Sequence, residues 1–250
     1  MTAPSNLTTE AGRRIAYHHS PGTGPTIVFL GGFKSDMGGT KAVHLEAWCQ
    51  ARERAFLRFD YSGHGESDGA FEDGCIGEWA ADARAVLEQV AQGPLLLIGS
   101  SMGGWISLLM AKALPERIAG MITIAAAPDF TEDGYWAGFS EDQRQTVMSD
   151  GRIAIPSDYG EPYIITRKLI EDGRKNLVLR DPLHLPFPVR FLQGTADEDV
   201  PMEWATKLLA HATGPDMRLV CLKDADHRFS DPVSLKLVED AVENVLSVID

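Results

Sequence analysis

The strongest constraint on the fold is a five-residue string, Gly99-Ser100-Ser101-Met102-Gly103, set between an apolar run and a helical pattern. Pro94-Leu95-Leu96-Leu97-Ile98 before it reads as a buried strand. Gly103-Gly104-Trp105-Ile106-Ser107-Leu108-Leu109-Met110 reads as a helix. A Gly-x-Ser-x-Gly string alone arises by chance in many proteins. Between a strand and a helix it predicts a sharp, strained turn that lifts the Ser101 hydroxyl clear of a sheet. Strand and helix crowd together there, which calls for small residues at Gly99 and Gly103. The same turn sets the Met102 amide beside the hydroxyl, at a helix N-terminus.

Short β-rich runs alternate with helical stretches along the rest of the chain. Strands are predicted over Ile15-Ala16-Tyr17, Thr26 to Leu30, Ala55 to Phe59, Leu95 to Ile98, Ile118 to Ala125, Val189 to Leu192 and Arg218 to Leu222. The central runs are apolar almost without interruption, as in parallel strands covered on both faces. Ile76, Trp79, Ala80, Ala83, Leu87 and Val90 recur at helical spacing. Asp231 before Pro232 predicts an N-cap and a first helical position, opening a helix with Leu237, Ala241, Val245 and Val248 on one stripe. A chain of 250 residues can bury the core of one large α/β domain. The expected fold class is α/β: a mostly parallel sheet with helices on both faces.

One region breaks the alternation. From Asp129 to about Pro188 no strand is evident where the next one is due. The expectation is a core built from residues 1–128 and 189–250, with residues 129–188 inserted as a helical cap over the strand ends. That insertion holds Phe130, Tyr135, Trp136, Phe139, Tyr159 and Tyr163. Such rings either fasten the cap to the core or form the wall of an apolar substrate pocket.

A serine hydroxyl is a poor nucleophile at neutral pH and needs a base, which in turn needs an orienting carboxylate. In this type of fold the chain order is serine, then acid, then histidine. Val189 to Gly194 runs into Thr195-Ala196-Asp197-Glu198-Asp199-Val200-Pro201, so Asp197 stands just past a strand end, on the rim that holds the elbow. Asp199 is the weaker choice; it reads as a charge favouring the N-terminus of a helix opened by Pro201. Among seven histidines, His227 alone lies after the last strand and before the final helix, and it is the expected base. A second amide to hold a tetrahedral oxyanion should follow an early strand. Gly31-Gly32-Phe33 after Leu30 nominates the Phe33 N–H as partner to that of Met102.

Other residues read as structural. His64, in the turn Ser62-Gly63-His64-Gly65-Glu66-Ser67, is a loop-packing residue, and Ser100 points away from Ser101. Cys75 lacks an elbow and a partner. Arg167, Lys168, Arg174, Lys175 and Arg180 form a basic patch that is either a solvated helix face or a site for an anionic substrate portion. No dinucleotide-binding glycine motif, Walker loop or His/Cys metal cluster is visible, so no cofactor and no metal are implied. The formal charge of −13 argues against nucleic acid as a partner. No apolar run approaches a membrane span, and Met1-Thr2-Ala3-Pro4-Ser5-Asn6 lacks a signal-peptide core. Cys49, Cys75 and Cys221 show neither disulfide nor zinc spacing, which suits a reducing compartment. The cytoplasm is the expected location.

With Gly31-Gly32-Phe33, Ser101, Asp197 and His227 in place, the chain resembles the serine α/β-hydrolase superfamily along nearly its whole length. Gly39-Thr40-Lys41-Ala42, Arg58-Phe59-Asp60-Tyr61-Ser62-Gly63, Gly99 to Trp105 and Asp226-His227-Arg228 narrow the likeness. These segments are similar to the α/β-hydrolase-domain palmitoyl-protein thioesterases and acyl-glucuronide esterases of animal mitochondria, in the form of a bacterial relative. The resemblance implies a cofactor-independent hydrolase of acyl thioesters or carboxylic esters, acting on a small-molecule or lipid-acylated substrate through Ser101, His227 and Asp197. On the residues alone, amide or C–C cleavage, perhydrolysis, and ligand binding without turnover stand as alternatives.

Overall fold

In the computed structural model, which describes residues 3–157 and 160–249, the strands in chain order are β1 (Ser5–Thr8), β2 (Arg14–Ser20), β3 (Thr23–Leu30), β4 (Arg54–Phe59), β5 (Leu95–Ser100) and β6 (Ile118–Ile124). They continue with β7 (Arg152–Ile155), β8 (Tyr163–Thr166), β9 (Leu183–His184), β10 (Val189–Gly194), β11 (Ala212–Thr213) and β12 (Met217–Leu222). Eight of them form one sheet in the order β1-β2-β4-β3-β5-β6-β10-β12. The pairs β1·β2 and β2·β4 are antiparallel, and every later pair is parallel. All seven predicted strands are present. Ile118 to Ala125 stops one residue early, because Ala125 turns to φ 48°.

The helices are α1 (Thr40–Gln50), α2 (Ile76–Gln89), α3 (Met102–Ala113), α4 (Glu141–Asp150), α5 (Arg167–Gly173), α6 (Met202–His211) and α7 (Pro232–Ile249). Period-two alternation decides which helix covers which face. Leu96 and Ile98 of β5 join α1 and α7 residues such as Leu45, Val238 and Val242 in one core. Leu95 and Leu97 face the other way, onto Trp79 of α2 and Trp105 of α3. Burying each such large side chain contributes about 1.5–3 kcal/mol. Asp231 caps α7 as predicted: its Oδ1 accepts the Val233 and Ser234 amides at 2.9 and 3.1 Å. The predicted stripe needs one correction. Val248 is 58% exposed, and the buried face runs through Ser234, Val238, Ala241, Val242, Val245 and Leu246.

The segment between β6 and β10 differs from the expected helical insertion. It opens with a π-helical stretch, Phe130–Trp136, and carries α4 and α5, yet it also contains the antiparallel pair β7·β8, with Ile153 opposite Ile165, and the short β9. These strands pair outside the main sheet and span only two to four residues, too short for a clear period-two signal. Val147, Ile165, Leu169, Ile170, Val178 and Leu185 of this segment are buried in the same core as α2 and α3.

At the crossing of β5 and α3 the backbone approaches too closely for side chains. A Cβ on Gly99 would lie 2.3 Å from the Gly103 oxygen, and one on Gly103 would lie 2.0 Å from the Leu30 oxygen at the end of β3. Ser101 between them holds φ 53° and ψ −117°, a conformation that costs a non-glycine residue on the order of 1–3 kcal/mol. Three backbone bonds fix it: Ser101 N donates to Ile124 O, while Gly104 N and Ala127 N donate to Ser101 O, all at 2.9–3.1 Å. Gly103→Ala should therefore lower unfolding free energy by about 3 kcal/mol or more, beyond the usual overpacking range because the obstacle is backbone. Urea denaturation measures this, and a loss under about 0.5 kcal/mol would contradict the crowding.

Candidate active site

Three side chains from three parts of the chain meet at the C-terminal end of the sheet. The Ser101 Oγ sits 3.2 Å from His227 Nε2. On the far side of the ring, His227 Nδ1 faces Asp197 Oδ2 at 2.9 Å and Oδ1 at 3.1 Å. A carboxylate can only accept there, so Nδ1 carries the proton and Nε2 offers its lone pair to the serine hydroxyl. Asp197 follows β10 and His227 follows β12, adjacent parallel strands, so both loops emerge at one rim. The structure thus brings together Ser101, Asp197 and His227. Asp199 also borders the site, but His227 bonds to the Asp197 carboxylate, to which the Asp199 amide donates at 3.0 Å.

Asp197 is held by more than the histidine. The Val200 amide donates to Oδ1 at 2.8 Å, and Gln193 Nε2 donates to Oδ2 at 3.0 Å. With its side chain fully buried, the carboxylate stays in a single orientation because each oxygen is bound by directed donors. Gln193 also donates to the Val200 carbonyl at 2.8 Å, so one buried amide ties both the acid and its loop to the end of β10. Sequence reading missed Gln193. Its only signal is a polar residue closing an apolar strand four positions before the acid. Asp197, Asp199 and His227 are also the group of ligand-type side chains close enough to hold a cation among the described residues. The directions on Asp197 are already taken by N–H donors, so the set does not fit a metal.

The Phe33 loop is fixed from below. Met37 N donates to the Asp60 carboxylate at 2.6 Å, and Arg58 donates to the Met37 carbonyl at 2.8 Å while pairing with Glu46 at 2.8 Å. Burial pushes the Asp60 carboxyl upward, and the amides of Glu66 and Met37 oppose that. Phe33 follows the strand end at Gly31-Gly32, and Met102 is the first residue of α3, where the amide has no intrahelical acceptor. Met102 follows Ser101 directly, and a Cβ added to Gly32, the residue before Phe33, would lie 3.4 Å from Ser101 Cβ, so the Phe33 loop passes beside the serine.

Above Ser101 lies a cavity of about 720 Å³, within the range of small-ligand sites. Phe130, Tyr135 and Tyr163 border it, whereas Trp136 and Phe139 do not. Trp136 instead stacks under the Arg144 and Arg174 guanidinium groups, and Phe139 is buried against Tyr135. Tyr159 lies outside the described residues. The Phe33 ring meets Phe71, and Phe130 and Tyr163 of the segment between β6 and β10, edge-on at 4.8, 5.3 and 5.5 Å.

The basic patch takes the first of its two readings. Arg167 pairs with Glu171, Lys168 with Glu78, Arg174 with Glu132, and Arg180 with Asp129 and Asp133. None of the five borders the Ser101 cavity. The cations that do are Lys34, Lys41 and Arg228, which sequence reading passed over. The Lys41 amine donates to the Arg228 carbonyl, next to His227, and burial pushes it down to about 8. Ser100 is buried at the end of β5. Cys75 is buried at the start of α2, its thiol pushed up to about 12, which suits no nucleophile. His64 is 4% exposed among Tyr61, Phe71 and Trp79, as a packing residue would be.

Gln193→Met keeps the volume but removes a buried bond to a charged group. Unfolding free energy should fall by about 1.5–3 kcal/mol in urea denaturation. A variant as stable as the parent would show that Asp197 and Val200 hold their places without it.

Comparison with known proteins agrees with this architecture. Residues 25–164 match the family described as the alpha/beta hydrolase fold. The mitochondrial palmitoyl-protein thioesterase ABHD10 of Mus musculus is 34% identical over 241 residues, covering 94% of this chain and 81% of that protein. The solved structure of mouse alpha/beta hydrolase domain-containing protein 10 superposes with a TM-score of 0.93 at 31% identity, covering 100% of both chains. A solved structure from Agrobacterium vitis S4 gives the same TM-score at 38% identity, over 97% of this chain and 98% of the other. Among the described residues no helix is long and apolar enough to cross a membrane. In sequence and in three dimensions alike, this chain belongs to the α/β-hydrolase family.

Proposed function

We propose that the chain is a serine hydrolase of acyl thioesters or carboxylic esters, working through an acyl-enzyme. The observation that carries this is the hydrogen-bonded line from Ser101 through His227 to Asp197. Ser101 Oγ attacks the acyl carbon while His227 Nε2 takes its proton, and Asp197 stabilises the imidazolium that forms. The Phe33 and Met102 amides hold the tetrahedral oxyanion, each such donor contributing about 2.7–4 kcal/mol to the transition state. His227 then protonates the leaving thiol or alcohol. A water, deprotonated by the same nitrogen, releases the acid and restores the serine.

Residues 129–188 act in this reading as the cap, with Phe130, Tyr135 and Tyr163 as an apolar wall for the acyl group. Similarity to palmitoyl-protein thioesterases supports an acyl chain as the group transferred. The substrate is then a small molecule or a lipid-acylated partner, and every step uses side chains and backbone amides of this protein and water. Ser101→Ala should reduce turnover of p-nitrophenyl acyl esters and of acyl thioesters by about 10⁶. Turnover within tenfold of the parent, with the fold intact by circular dichroism, would exclude Ser101 as the nucleophile.

A further inference from the structure

We propose that His64 is a positioning residue for the oxyanion loop: its Nε2 lone pair accepts the Lys34 N–H and so fixes the peptide plane that follows Phe33. The inference rests on the hydrolase reading above and adds a residue to it.

Donor and acceptor identities determine the tautomer. His64 Nδ1 lies 3.1 Å from the Ser62 carbonyl, which has no proton to give, so Nδ1 is the N–H. Nε2 is then a bare acceptor, and the Lys34 amide donates to it at 3.3 Å. Burial pushes the imidazole down to about 4, which keeps that lone pair available at neutral pH. Were the ring there only to fill space, a phenyl group would serve.

The acceptor is aimed from a rigid base. The Ser62 amide and hydroxyl both donate to the Asp82 carboxylate, at 3.0 and 2.6 Å, and Trp79 Nε1 donates to the Ser62 carbonyl at 3.0 Å. Asp82 is fully buried and paired with Arg13 at 2.7 Å. At the receiving end, Lys34 holds φ 57°, a left-handed backbone that a non-glycine residue keeps only when its surroundings impose it. The loop is therefore gripped twice from the chain following β4: His64 takes Lys34, and Asp60 takes Met37. Phe33 lies between the end of β3 at Leu30 and the first of those anchors. With the plane after it pinned, its own amide cannot swing away from Ser101.

His64→Phe keeps the ring and loses the acceptor, whereas His64→Gln keeps an acceptor at similar reach. On p-nitrophenyl esters the Phe variant should lose about 10- to 100-fold in kcat, less than the 10²- to 10³-fold of deleting an oxyanion donor outright. Its KM and its Kd for the fatty-acid product should stay within about threefold, and the Gln variant should recover kcat to within about fivefold. A folded Phe variant with parental kcat overturns the proposal. So does a parallel loss of kcat and product binding that Gln fails to rescue, the mark of general damage. If the Phe variant does not fold, Gln against Met at the same position reads the same contrast. Ser101→Ala run alongside separates the two ideas: its turnover tests the hydrolase reading, while normal His64→Phe beside a dead Ser101→Ala removes only the role of His64.

Discussion

The backbone of α3 touches the backbone at the end of β3, and no methyl group fits between them. That contact, at Gly103 against the Leu30 oxygen, is the constraint from which the site follows. It draws the first turn of α3 onto the strand end from which the Gly31-Gly32-Phe33 loop departs. The start of α3 and the Gly31-Gly32-Phe33 loop, about seventy residues apart in sequence, are thereby brought together beside Ser101. The strained Ser101 conformation is the geometric remainder of that close approach, and the bonds to Ile124 and Ala127 hold it there.

Buried charge in this acidic chain is concentrated where loops must not move. Asp197 fixes the loop after β10. Asp82 fixes Ser62, and Asp60 with Arg58 fixes Met37. Asp129, fully buried in a left-handed conformation, accepts the Val178 and Leu179 amides and an Arg180 N–H, tying the two ends of the segment between β6 and β10 together. In each case a carboxylate binds backbone amides that no helix or strand satisfies. Such charge-assisted bonds are stronger than neutral ones and offset the cost of burial. They specify loop conformation more than they add stability.

What the sequence made legible had local, directional signals. The parallel strands announced themselves as apolar runs, α7 through Asp231-Pro232, and the serine, acid and histidine through their places after particular strands. What it hid depends on contacts between distant segments. β1 is a short, mostly exposed strand whose existence rests on pairing with β2. β7 and β8 pair only with each other across a loop without a hairpin turn signature. The basic residues looked like one patch because their carboxylate partners, Glu78, Glu132 and Asp133, lie elsewhere in the chain. Gln193 was invisible because no pattern distinguishes an amide that supports an acid from one that merely ends a strand.

The segment between β6 and β10 shares its interior with α2 and α3 instead of resting on them. Val147, Ile165, Leu169, Ile170, Val178 and Leu185 would all meet water if it lifted as a body, at about 1.5–3 kcal/mol each. A hinged door is too expensive under those terms. Phe130, Tyr135 and Tyr163 therefore face the chamber from a segment rooted in the shared interior, not from a layer laid over it.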